Sequence, residues 1–229
     1  MTMFKFALVR IIRNPFAIIL GLVIPLGLLL ISAMWEEGGR GYYWIAFTLL
    51  LSAFPLTRGL QMDMKERVVM RIMSTPTTIF KYLWQNLAAC MFPLILQIIL
   101  ICSFGMIRYD WSSEVAGMLG ILYTLFAMTA IGIAYAWAFL FKNSEGETGS
   151  AVMMTIMIFS SMFGIMLPVE ALSGWQETVG MIFPTYWVSV GIEKLLYVGG
   201  YSGEMLIPIG VLALFTMIFL LYGSKRGAY

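Results

Sequence analysis

The side chains best placed to do chemistry in this sequence are the charged residues of one polar stretch, residues 58–81. Between two apolar runs it carries Arg58, Asp63, Lys65, Glu66, Arg67, Arg71 and Lys81. Its spacing has helical periodicity, and Thr75-Pro76 gives it a sharp stop because the residue before proline is steered away from the helical region. The pattern is typical of a short helix presented to a soluble partner, and its chemistry is recognition.

The rest of the sequence gives little indication of catalysis, metal binding or nucleotide binding. There is no histidine, which excludes His-based catalysis and His-metal sites. Cys90 and Cys102 are about 18 Å apart along a helix, too far to bridge within it. Gly223-Ser224-Lys225 lacks the glycine spacing of a phosphate-binding loop. We therefore expect no catalytic residues, no metal and no cofactor in this chain, and the net charge of +2 does not favour nucleic acid.

Within the polar stretch, residues 62–76 are predicted to form the presented helix. Asp63 and Glu66 resemble a capping box at its start, and Asp63 and Arg67 form a favourable i,i+4 pair. One face is apolar: Val68, Val69, Ile72 and Met73. That face must be buried, either on lipid headgroups or in a groove of a protein partner, and the residues alone leave both open.

The elements that position this helix are membrane spans. Hydrophobic residues make up 61% of the chain and charged residues 11%, with a mean hydropathy of +0.90, which indicates an integral membrane protein. Runs of about 20 apolar residues predict six transmembrane helices: 16–34, 42–60, 83–107, 115–141, 149–167 and 205–222. The first run is too long for a cleavable signal peptide and is expected to remain a span.

Two further segments complete the predicted fold, an all-α polytopic membrane protein forming one domain over residues 1–229. Residues 1–14 are amphipathic, with Lys5, Arg10 and Arg13 on one side, and suit a helix in the cytoplasmic interface. Residues 168–201 are semi-apolar but broken by proline and glycine. They suit an extracellular re-entrant hairpin packed against protein.

Lysine and arginine counts predict the orientation. With both termini inside, the outside segments hold Arg40, Arg108 and Lys194, and the inside segments hold the other 11 of the 14 Lys/Arg. This satisfies the positive-inside rule. We expect a multi-pass protein of a prokaryotic cell membrane with cytoplasmic termini.

Two motifs carry a family resemblance. Glu66, Arg71 and Ser74-Thr75-Pro76 resemble the coupling-helix region of type-two ABC exporter permeases. Arg67 replaces the usual glycine, and Ile72-Met73 replace the usual leucines. A second region resembles the segment after the fifth span of the same family: Gly164, Pro168, Glu170, Leu172, Trp175 and Phe183-Pro184-Thr185-Tyr186. With the predicted layout, the resemblance covers nearly the whole chain.

The resemblance implies partners. ATP and Mg²⁺ would bind a separate ABC ATPase subunit, and two permease chains, identical or different, would pair. Residues expected to contact the ATPase are Glu66, Arg67, Met70, Arg71, Ile72, Met73 and Thr75, with Glu145 and Glu147 of the next cytoplasmic loop as further candidates.

The resemblance also implies a pathway lined by the second and fifth spans. The candidates are Phe47, Ser52, Phe54, Met154, Met157 and Ser161. Methionine side chains adapt to varied apolar shapes, which favours a lipophilic or amphipathic solute, drug-like or peptide-like. The same methionines can equally well pack against neighbouring helices.

Two other functions remain open from the residues. One is an ATP-independent channel or secondary transporter, which the lack of a central intramembrane charge disfavours. The other is a non-transporting immunity or sensor component that binds a membrane-active peptide.

Overall fold

The computed structural model describes residues 2–35, 40–65, 79–140, 146–197 and 203–226, and these ranges are mostly helical. The helices are α1 (Thr2–Ile12), α2 (Pro15–Ile18), α3 (Ile24–Leu29), α4 (Gly41–Lys65), α5 (Ile79–Arg108), α6 (Ser113–Leu140), α7 (Gly146–Ser161), α8 (Trp175–Gly180), α9 (Pro184–Tyr197) and α10 (Leu206–Arg226). A π-helical turn, Ile19–Val23, joins α2 to α3, and short 3-10 turns occupy Ser32–Met34, Val169–Ala171 and Gly203–Met205.

Helix α6 lies at the centre of the bundle and packs against α4, α5, α9 and α10. Its large side chains, such as Tyr123 and Phe126, are fully buried. Small residues let neighbouring helices approach closely, and α6 supplies them at Ala127, Ala130 and Ala134. Thr129 of α6 lies 2.9 Å, hydroxyl to hydroxyl, from Thr216 of α10, so a polar contact also joins this pair.

Helix length and composition indicate a membrane protein. Among the described helices, Trp84–Arg108 within α5 and Ser113–Trp137 within α6 are long and apolar enough to cross a bilayer. A third candidate arises if the bent pair Met3–Ile12 and Pro15–Leu29 counts as one span, and Gly203–Phe219 is apolar but shorter. The six-span arrangement therefore stays a prediction.

Two predicted spans differ from the helices that form. The first is interrupted, because a π turn followed by Pro25 divides residues 15–29 into three successive helical pieces that end at Leu29. The fifth is short, because α7 ends at Ser161 and the chain then turns through Gly164, whose φ is +98°. The predicted hairpin region, 168–201, contains α8 and α9.

Helix α4 defines two ends of the molecule. It begins after Arg40 and runs through Asp63 to Lys65, about 37 Å at 1.5 Å per residue. We call these the Arg40 end and the Asp63 end. Residues 62–65, which were predicted to begin the presented helix, instead continue α4, and the rest of that predicted helix, residues 66–76, lies outside the described residues.

Candidate functional site

The residues predicted to contact an ATPase lie outside the described residues. These residues are Glu66, Arg67, Met70, Arg71, Ile72, Met73 and Thr75. Of the two further candidates, Glu145 also lies outside the described residues, and Glu147 lies in the first turn of α7. We call residues 66–78 the docking segment. Both flanks of this segment are described, because α4 ends at Lys65 and α5 begins at Ile79.

Four polar side chains meet beside these flanks, where α1, α4 and α5 come together. We call Arg10, Asp63, Tyr82 and Asn86 the flank cluster. Nη1 of Arg10 lies 3.0 Å from each carboxylate oxygen of Asp63, and the Tyr82 hydroxyl donates to Asp63 Oδ2 at 2.5 Å. Nη2 of Arg10 reaches Asn86 Oδ1 at 3.5 Å. Helix α1 is thereby bonded to both helices that flank the docking segment.

Local sequence places each member of the cluster. Asp63 lies in the last turn of α4, and Gly59 precedes it by four residues on the same face. A Cβ at Gly59 would overlap the Arg10 guanidinium, so the glycine makes room for the ion pair. Tyr82 and Asn86 are likewise four residues apart on α5, and Asn86 Nδ2 donates to the Tyr82 carbonyl at 3.0 Å.

The members of the flank cluster differ in their exposure to solvent. Tyr82 and Asn86 are buried, whereas the Arg10 side chain is 41% exposed, so the ion pair itself adds only modest stability. Burial raises the pKa of Tyr82, and the hydrogen bond to the Asp63 carboxylate and its charge raise it further. The hydroxyl therefore stays protonated and keeps donating to Asp63.

Sequence reasoning missed this cluster. It paired Asp63 with Arg67, which lies outside the described residues, and placed Arg10 in the cytoplasmic interface. In the structure the Asp63 carboxylate bonds to Arg10 and Tyr82. A usable signal existed, since an acid at the end of an apolar helix requires a partner. Which cation supplies it depends on how α1 packs, and residue spacing does not encode that.

The predicted pathway residues fall into two groups. Phe47 and Phe54 are partly exposed and Met154 is 40% exposed. Ser52, Met157 and Ser161 are buried within the chain. The Ser52 hydroxyl lies 3.0 Å from the Leu20 carbonyl oxygen. Helices α4 and α7 do pack together, but the six side chains do not share one exposed surface.

A second polar contact joins elements at the Arg40 end. The Arg40 guanidinium donates to the backbone carbonyls of Gly164 (3.3 Å), Ile165 (2.6 Å) and Met166, in the turn after α7. From the other side, the Thr185 hydroxyl of α9 donates to the Ser160 carbonyl at 2.6 Å. The exit of α7 is thus held to the start of α4 and to α9. Sequence reasoning gave Arg40 no role beyond orientation.

Comparison with known proteins supplies the family. Among curated proteins, none matches the chain. A family model described as ABC-2 family transporter protein matches residues 36–225, a range that includes the docking segment, Asp63, Tyr82 and Asn86 of the flank cluster, and the Arg40 contact. Members of this family are normally the transmembrane, non-catalytic part of an ABC transporter and work with an ABC ATPase subunit. The chain belongs to the ABC-2 transporter permease family.

Proposed function

We propose that this chain is the membrane-spanning subunit of an ATP-driven exporter that moves a lipophilic or amphipathic solute, drug-like or peptide-like. A separate ATPase subunit binds ATP and Mg²⁺ and supplies the energy. The family match over residues 36–225 carries this proposal. The positive-inside count supports a cell-membrane location with cytoplasmic termini, so that the Asp63 end faces the ATPase.

Energy enters through the docking segment. ATPase closure does work on the permease only through contacts that differ between its open and closed states, and the proposed contacts include Glu66, Arg71 and Thr75. The flank cluster supports this step, because Asp63 bonds to Arg10 of α1 and Tyr82, beyond the other end of the segment, bonds to Asp63. A push on the segment is then passed to α1, α4 and α5 together.

The solute pathway is proposed between two permease chains, along α4 and α7. Helix α7 is largely uncovered in the single chain, with Met154 40% exposed and Phe159 51% exposed. A second chain or lipid must cover such a surface. Flexible methionine and aromatic side chains on this wall suit apolar solutes of varied shape.

Charge reversal at Arg71 tests the docking step. We expect Arg71→Glu to reduce by roughly tenfold or more the ATPase subunit that co-purifies from native membranes, because the proposed interface loses a cation and gains an anion in its place. Arg108→Glu is the matched control, since Arg108 ends α5 at the Arg40 end, and it should leave co-purification unchanged. Equal recovery of the ATPase with wild type and Arg71→Glu would contradict the proposed docking.

A further inference from the structure

Helix α1 presents three different sides. Ala7 and Ile11 are buried and pack the helix against the bundle, chiefly against α5. Arg10 points to Asp63 in the flank cluster. The remaining side, which we call the outer face of α1, carries Lys5, Phe6, Val9, Ile12 and Arg13, all of them exposed.

The outer face mixes cations with large apolar groups. Phe6 is 73% exposed and Ile12 is 59% exposed, which is unfavourable in water. Lys5 and Arg13 lie on the same side of the helix, so the face does not suit burial in a purely apolar environment either. An arrangement of this kind matches the boundary where acyl chains meet headgroups.

The bend after α1 turns this helix away from the direction of the first predicted span. The axes of Met3–Ile12 and Pro15–Leu29 differ by 80°. The bend is fixed locally, because the Asn14 side chain accepts a hydrogen bond from the Phe16 amide at 3.1 Å and Pro15 occupies the first position of α2. If residues 15–29 cross the bilayer, α1 lies nearly in its plane. The exposed Phe16 and Ile19 then continue the apolar surface into the membrane.

We propose that the outer face of α1 binds anionic phospholipid. Phe6, Val9 and Ile12 insert between lipids, while Lys5 and Arg13 pair with phosphate-bearing headgroups. Anionic rather than zwitterionic lipid is indicated because Lys5 and Arg13 are both exposed on this face and no acidic residue occurs among residues 1–35 to balance them. This binding does not depend on what the chain transports.

Hydrogen exchange on the full-length chain in lipid nanodiscs tests the proposal. One sample contains phosphatidylcholine alone, and the other contains phosphatidylcholine mixed with phosphatidylglycerol. We expect amides of residues 3–13 to exchange roughly tenfold more slowly with phosphatidylglycerol, because each cation near an anionic surface is attracted to it. High salt should remove the difference by screening.

Substitutions separate charge from insertion. The double variant Lys5→Gln, Arg13→Gln should lose the dependence on phosphatidylglycerol, and Arg108→Gln, a matched exposed cation elsewhere, should keep it. Phe6→Ser should exchange faster in both lipids. Unchanged protection of α5 and α6 in the same experiment shows that each variant is folded.

Three results would overturn the proposal. One is equal exchange of α1 in the two lipids. Another is a lipid dependence that survives the double variant. The third is protection that arises only when the ATPase subunit is added, whatever the lipid, since the outer face would then belong to that partner.

Discussion

At the residue scale, a few side chains and one glycine decide how the exit of α7 is built. Gly164 has φ +98°, in a region that L side chains rarely adopt. An added Cβ there would lie 2.8 Å from Ser189 Oγ and 3.1 Å from the Thr185 carbonyl oxygen. The Arg40 guanidinium bonds to the carbonyls on the other side of the same turn. The turn is therefore fixed from both sides.

Gly164→Ala should destabilise the protein by about 1–3 kcal/mol, because it combines an unfavourable φ with a steric overlap. Gly117→Ala is the matched control: Gly117 lies in α6 with open space around it, and alanine is the better helix former there. Thermal unfolding in detergent measures both. Equal midpoints for the two variants would show that the turn is not as constrained as the contacts indicate.

A pair of acids on α9 and its neighbouring turn should make stability depend on pH. Partial burial raises the pKa of Glu193, and the nearby Glu170 carboxylate raises it further, with Lys194 opposing. The stability that protonated Glu193 contributes is present below its ordinary pKa of 4.5 and is lost as pH rises through its raised folded-state pKa.

Glu193→Gln should therefore unfold at a higher temperature than wild type at neutral pH, and the gain should vanish in acid. Unfolding curves at about pH 4 and about pH 8 bracket the titration. Glu204→Gln is a contrasting control, because Lys194 lowers the pKa of Glu204 and this substitution should not stabilise at neutral pH. A Glu193→Gln gain of the same size at both pH values would exclude titration as its cause.

At the element scale, the interrupted first span is explained by one missing backbone donor. In the π turn the Ile24 amide bonds to the Ile19 carbonyl, so the Leu20 carbonyl would need the amide of residue 25. Residue 25 is proline and has none. The Ser52 hydroxyl of α4 lies 3.0 Å from the Leu20 carbonyl oxygen and 2.6 Å from the Thr48 carbonyl oxygen, so the Leu20 carbonyl shares the single Ser52 proton with Thr48.

Ser52→Ala should cost about 1 kcal/mol, because the Leu20 carbonyl is left without its donor. In a Pro25→Ala background, the restored amide can bond within the first span. The same Ser52→Ala change should then cost about half as much or less. A double-mutant cycle of unfolding free energies measures this difference. Additive costs would mean that Ser52 and Pro25 act independently.

The sequence predicts a helix well where the signal is local and poorly where the helix depends on distant contacts. Long apolar runs located α5 and α6 to within a few residues, because length and hydropathy are local properties. The π turn, the early end of α7 and the continuation of α4 through Asp63 were missed. Each is accompanied by a hydrogen bond from a distant part of the chain, which residue spacing does not encode: Ser52 to Leu20, Thr185 to Ser160 and Tyr82 to Asp63.

At the scale of the whole molecule, one group of polar contacts lies at each end of α4, and α6 packs the centre. The flank cluster joins α1, α4 and α5 at the Asp63 end, and Arg40 joins α4 to the exit of α7 at the other. Coupling between distant sites can be carried by secondary-structure elements that are bonded at both ends. Helix α4 has such contacts next to Arg40 and at Asp63, and it contains Pro55 between them.

Sequence motifs gave the family, and the family match confirms it. They could not give the flank cluster, because Arg10 and Asp63 are 53 residues apart and neither position is marked by a motif. Pathway residues were assigned from span membership alone, and burial of Ser52 and Met157 shows that span membership does not determine which face of a helix is accessible.

The most direct test of the account is whether the docking segment touches an ATPase during turnover. Met70→Cys in the complex purified with its ATPase subunit should cross-link to that subunit, with a yield that changes between nucleotide-free and ATP-hydrolysing conditions. Thr178→Cys, on α8, is the control and should give no such product. A complex that hydrolyses ATP and transports solute while Met70→Cys remains unlinked would contradict the central claim.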